Sequence, residues 1–146
     1  MQHGKWMRIV LDTSVLVAAV RSRHGASNFL LQKAAQGGVQ LLAAPALFLE
    51  YEEVLNREEH SRIHGMSPQV LERFLSGLAA IIEPVRVYYQ WRPQMQDADD
   101  EMVLETALNG QADWIVTHNK RDFSVAVSRF QLQLASPAEL VRRLEQ

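Results

Sequence analysis

Short apolar runs alternate along the chain with longer segments in which apolar residues recur every three or four positions. The runs Arg8–Asp12, Val39–Ala43, Asp113–Thr117 and Gln131–Ala135 predict β-strands, and Val85–Tyr89 predicts a fifth at a sheet edge. Helical periodicity fills the intervals. Ser136-Pro137-Ala138-Glu139 has the form of a capping box with proline at the first helical position, followed by Leu140, Val141 and Leu144. Ser67-Pro68 opens a second helix with Val70, Leu71, Phe74, Leu75 and Leu78 at helical spacing. Gly37-Gly38 ends a third, which contains Phe29, Leu30, Lys33 and Ala34. Strands separated by helix-length crossovers predict a parallel sheet covered on both faces, with sites at the carboxyl ends of its strands.

The chain has 146 residues, 47% hydrophobic and 22% charged, which fits one domain with its own core over residues 7–146. Met1–Trp6 lacks periodicity and reads as an N-terminal extension, with Met7 as an alternative start. Lys5 and Arg8 before Ile9–Val20 mimic a signal sequence, but Asp12, Thr13 and Ser14 interrupt the apolar stretch. No run is long enough to cross a bilayer, so no membrane association is expected. The absence of cysteine excludes disulfides and thiolate metal sites and suits a cytoplasmic setting. A net charge of -2 argues against binding nucleic acid by bulk phosphate neutralisation. Any such binding needs a local basic rim or a metal bridge.

Against this background four acids stand out. Asp12 closes the run Ile9-Val10-Leu11 and precedes a helix, so it is either an N-cap or a free carboxylate with Thr13 or Ser14 capping instead. In the helix with the stripe Leu47, Phe48, Tyr51, Val54 and Leu55, Glu53 lies opposite the stripe while Glu50 and Glu52 flank it. Geometry alone does not choose between those two. Asp100 precedes Val103, Leu104, Ala107 and Leu108 at helical spacing, on the same face and in the first turn. Helix-dipole stabilisation explains the acidity of Asp97, Asp99 and Asp100, but not an acid on the core-facing side. Asp122 lies in the loop that follows the strand-like Trp114-Ile115-Val116-Thr117, where it sits at the site's outer edge or caps a turn anchored by Phe123. His118 reads as an ordinary loop histidine, because hard oxygen sites seldom recruit imidazole. Gathering unpaired carboxylates costs a fold stability unless a cation balances them, so the pattern points to metal-dependent phosphate chemistry.

Taken together, the segments Ile9-Val10-Leu11-Asp12-Thr13-Ser14-Val15, Pro45–Leu55, Asp97-Ala98-Asp99-Asp100 and Ala112–Thr117 with Asn119 and Asp122-Phe123 resemble the PIN-domain family. The likeness is to its VapC-like toxins of bacterial toxin–antitoxin systems. The resemblance selects Glu50 over Glu52. It implies a three-layer α/β/α domain with a central parallel sheet of four to five strands, acting as a Mg²⁺- or Mn²⁺-dependent ribonuclease. It also implies a homodimer and a small antitoxin partner. On the family pattern Asp12, Glu50 and Asp100 are metal-binding carboxylates, and Thr117 is a supporting hydroxyl. The family often has an acid where this chain has Asn119. That assigns Asn119 to orienting a ligand and leaves the fourth acidic role to Asp122. Arg21, Arg23, His24, Lys120 and Arg121 are candidate contacts for an RNA backbone. Two rivals are a phosphotransferase with Asp12 as nucleophile, which would want an aspartate where Ser14 stands, and a binding module without activity.

Overall fold

The computed structural model describes residues 7–90 and 94–145; the expected extension Met1–Trp6 lies outside them. The elements run β1 (Met7–Leu11), α1 (Thr13–Arg21), α2 (Ala26–Ala35), β2 (Val39–Ala43), α3 (Pro45–Leu55), α4 (Glu58–His64) and α5 (Pro68–Ile81). They continue with β3 (Ile82–Pro84), α6 (Ala98–Asn109), β4 (Trp114–Val116), α7 (Lys120–Val127), β5 (Gln133–Ala135) and α8 (Pro137–Leu144). Among the described residues the five strands form one parallel sheet in the order β3-β2-β1-β4-β5, flanked by the eight helices as a three-layer α/β/α fold.

The centre of the sheet is apolar because it is covered on both sides. Ile9, Val10 and Leu11 are buried on consecutive positions, as are Leu41 to Ala43 and Ile115-Val116. A strand with one solvated face would alternate instead. Truncating a residue such as Ile9 to alanine would cost about 2–5 kcal/mol. Helices α1, α2 and α8 pack together, α6 lies across β1, β2 and β4, and α3 touches both α1 and α6. Thus α3 bridges the two helical groups, and its side chains reach both.

The capping signals act as the sequence predicts. Ser136 and Glu139 complete a reciprocal capping box, and Ser67 accepts from the Val70 N–H at 3.2 Å. Gly37 adopts φ +83° just after α2, where a side chain would be strained. Gly110 serves close approach: a Cβ there would lie 2.9 Å from the Thr106 carbonyl and from Val85 Cγ2. Its absence lets the end of α6 settle against the sheet.

One element lies elsewhere than predicted. The edge strand is Ile82–Pro84, immediately before the Val85–Tyr89 segment. The Ile82↔Leu41 to Pro84↔Ala43 register follows from where β2 offers partners, and Arg8 pins it by a bidentate contact with Glu83 at 3.0 and 2.8 Å. A glutamate at the centre of a strand is tolerable there because it is paired. Val85 continues the ladder by one N–H to the Ala43 carbonyl, and the chain then leaves the sheet.

Strand register prepares the site. Leu11, Val116 and Ala135 are aligned across β1, β4 and β5. Asp12 and Thr117 therefore emerge side by side, and their N–H groups extend the ladder to the carbonyls of Val116 and Ala135 at 2.9 and 3.0 Å.

Candidate active site

Asp12 is 8% exposed at the carboxyl end of the central strand. Its backbone occupies the N-cap position of α1, but its carboxylate makes no capping hydrogen bond. The side chain instead accepts from Thr117 Oγ1 at 2.7 Å and from Ser14 Oγ at 3.3 Å. Between the two expectations for this residue, the carboxylate is not spent on the helix. Burial pushes its pKa up, while the Thr117 and Ser14 hydroxyls, the Thr13 amide and nearby His118 oppose the rise.

Thr117 is fully buried and acts in both directions: it donates to Asp12 and accepts from the Asn119 N–H at 3.0 Å. Asn119 is thus tied to the site by its backbone. Among the described residues its side-chain amide makes no hydrogen bond. The segment expected to be a loop turns directly into α7, so Asp122 lies in the first helical turn, its N–H donating to the Asn119 carbonyl at 3.1 Å. Phe123 beside it is fully buried and anchors the turn.

Asp100 occupies the first turn of α6, where Asp97 caps the helix by accepting from the Asp99 N–H at 2.8 Å. It is half-buried. Desolvation and then the charges of Asp12, Asp97, Asp122 and Asp99 raise Asp100 from 3.8 to about 6. Three chain segments thereby contribute carboxylates to one field. Asp97, Asp100 and Asp122 line a cavity of about 640 Å³ floored by Met95 and Ala126.

Glu50 joins this group indirectly. Its pKa is raised by burial first and then by Asp99, which is its nearest acidic influence on α6. Glu52, the other flank of the stripe, instead lines a groove with Phe48 and Leu71 between α3 and α5. Glu53 is an exposed partner of Arg57 at 2.6 Å, as its position opposite the stripe predicts. Lys120 is exposed and ion-paired with Glu139 at 2.7 Å. Arg121 is exposed.

Three contributors escaped the sequence. Tyr51 looked like one more apolar stripe residue. It is fully buried, and its hydroxyl donates to the Leu11 carbonyl at 2.6 Å, fixing α3 to the strand end that carries Asp12. A buried tyrosine in need of a partner was the available signal. Asp99, read as dipole acidity, links Glu50 to the cluster. Glu101 is 5% exposed and accepts from the N–H groups of Gln94 and Met95, each at 3.0 Å, which positions the cavity wall.

Hard carboxylate oxygens that raise one another's pKa suit a divalent cation in donor chemistry. Among the described residues, no three His, Asp or Glu side chains converge closely enough to hold one as they stand. The fit is one of ligand type and electrostatics.

A parallel α/β domain with acids from several segments gathered at its strand ends defines a class suited to phosphoryl chemistry. The PIN domain model matches residues 8–121, and the chain belongs to that family. Its members are generally metal-dependent nucleases, so a nuclease-type activity follows at that level. No curated protein compared with the chain matches it. No helix among the described residues is long and apolar enough to cross a membrane.

Proposed function

We propose that this protein is a ribonuclease that hydrolyses RNA phosphodiester bonds with Mg²⁺ or Mn²⁺, and that it is the toxin of a toxin–antitoxin pair. The observation that carries the reading is the gathering of Asp12, Asp100 and Asp122 at one end of the sheet, where burial first and the neighbouring charges second raise Asp100 to about 6. Asp12, Glu50 and Asp100 would hold the metal, with Asp122 at the outer edge and Thr117 and Asn119 in support. A bound divalent ion would supply charge stabilisation at the phosphate and acidify a water ligand.

The chain's own residues supply the rest. The Thr117 and Ser14 hydroxyls fix the orientation of Asp12 and oppose the rise that burial imposes on its pKa. Tyr51 keeps Leu11, and with it Asp12, from shifting relative to α3. Above pH 6 Asp100 is largely ionised and so free to take up a cation at neutral pH. The acidic cluster repels the scissile phosphate itself until its charge is offset, which makes cleavage, but not RNA binding away from the cluster, conditional on the cation. Toxin function carries two further expectations, a homodimer and an antitoxin that inserts an arginine or a hydrophobic helix at the acidic cavity.

The test is RNA cleavage by the purified full chain with and without Mn²⁺, beside Asp12→Asn. Cleavage that needs both the ion and Asp12 is expected. Metal-independent cleavage, or full activity in Asp12→Asn, removes the assignment. RNA binding without any cleavage favours the inactive binding module.

A further inference from the structure

The cluster of acids has a counterpart on the other side of Asp12. A second cavity of about 370 Å³ opens between α1 and α4, bordered by Ser14 and His118 at the Asp12 end and by Arg21 and His60 at the other. Its floor is apolar, formed by Val17 and Val54. Ser14 donates to Asp12, and His118 acts electrostatically on the same carboxylate, so this cavity adjoins the proposed reaction centre.

The charge at its far end is uncompensated. Arg8, Arg57, Arg62 and Lys120 are each ion-paired with a glutamate. Arg21 is different: it donates from Nη2 to His60 Nδ1 at 3.2 Å, and among the described residues it has no carboxylate partner. A guanidinium has no acceptor, so His60 Nδ1 accepts and its Nε2 is left to carry a proton. Two donors on adjacent helices are thus presented together. Arg23 and His24, both exposed, follow directly after α1. In a chain of net charge -2, Arg21 is thus a guanidinium without a carboxylate partner among the described residues, at the edge of a cavity beside a negative centre.

We propose that this cavity is a subsite for the nucleotide flanking the scissile bond. A phosphate contacts Arg21 and His60, and the attached ribose and base lie over Val17 and Val54. This rests on the ribonuclease reading. The two flanks then divide the labour: the acidic side is reserved for cations, and the strand leaves along α1. An RNA fits better than a protein inhibitor because the rim is cationic while the floor is small and apolar, matching a phosphate joined to a flat ring.

The test uses the full chain and a fluorescently labelled single-stranded oligoribonucleotide. Anisotropy is followed in EDTA as salt is raised from about 50 to 200 mM. Arg21→Gln should weaken binding about tenfold and reduce the salt slope by about 0.7, the loss of one phosphate contact. His60→Ala should weaken it less, Arg21→Lys should keep the slope, and Arg62→Ala, on the outer face of α4, should change neither. With Mn²⁺, Arg21→Gln should raise KM while kcat holds.

Parent-like affinity and slope in Arg21→Gln and His60→Ala, with cleavage intact, overturns the subsite and spares the ribonuclease. Arg21-dependent binding without cleavage in Mn²⁺ overturns the ribonuclease and, with it, the subsite's place beside a scissile bond. No RNA binding by the parent overturns both. Binding of a polyglutamate peptide in place of RNA, lost in Arg21→Gln, overturns the subsite in favour of a protein partner.

Discussion

Replacing Asp100 by asparagine should stabilise the metal-free protein, and only where the carboxylate is charged. Burial and the neighbouring acids raise Asp100 from 3.8 to about 6. A shift of about two units corresponds to about 3 kcal/mol without screening. Asp100 is only half-buried, and solvent screening reduces this to about 1 kcal/mol. The sign follows from a folded-state pKa above the unfolded one. The native protein holds the proton more tightly, so the folded state loses stability as pH rises from about 4 to 6, and the penalty is complete above that window. Asp100→Asn removes it. In EDTA at neutral pH the variant should gain about 3 °C in Tm by calorimetry. Below about pH 4, where both states are protonated, the gain should vanish. Excess Mn²⁺ should reverse the order at neutral pH, since an ion at one hundred times its Kd adds about 2.7 kcal/mol to whichever protein binds it. A variant no more stable than the parent in EDTA at neutral pH, or equally stabilised in acid, would refute the reasoning.

Thr117→Val removes the 2.7 Å donor to Asp12, so the Asp12 pKa should rise further and the acidic limb of the cleavage profile should move to higher pH; an unshifted limb counts against Thr117 as a group that opposes that rise. Tyr51→Phe leaves the Leu11 carbonyl without its 2.6 Å donor and should cost about 1–2 kcal/mol in urea unfolding. Calorimetric Mn²⁺ titration should find weaker binding in Asp122→Asn and tighter binding in Asn119→Asp; affinity equal to the parent in the first would make Asp122 a purely structural acid.

What was legible in the sequence depended on how strongly one environment dictated each segment. β1 is buried on both faces, so Ile9-Val10-Leu11 could hardly read as anything but a central strand. Ser136 and Glu139 carry their cap within four residues, and local signals of that kind need no knowledge of the rest of the fold. β3 was displaced because its position depends on β2 and on the distant pairing of Arg8 with Glu83. In α6 the buried set includes Glu101 and Glu105 as well as Val103, Leu104 and Ala107, so a single apolar stripe underestimated how enclosed the helix is. Asp12 and Asp100 were visible from their places at element boundaries. The link from Glu50 through Asp99 was not, because it exists only once α3 and α6 meet.

The last two elements, β5 and α8, lie beyond the family match at residue 121, yet they hold the site from outside. The Ala135 carbonyl accepts the Thr117 N–H, and Glu139 both caps α8 and grips Lys120 at the start of α7. The family likeness therefore ends short of elements on which the geometry of the site depends. A fragment ending at residue 121 would keep Asp12, Glu50 and Asp100 but expose one edge of β4 and cut α7 short. Losing that strand and helix would leave the Thr117 N–H without its acceptor, and with it loosen the hydroxyl that holds Asp12.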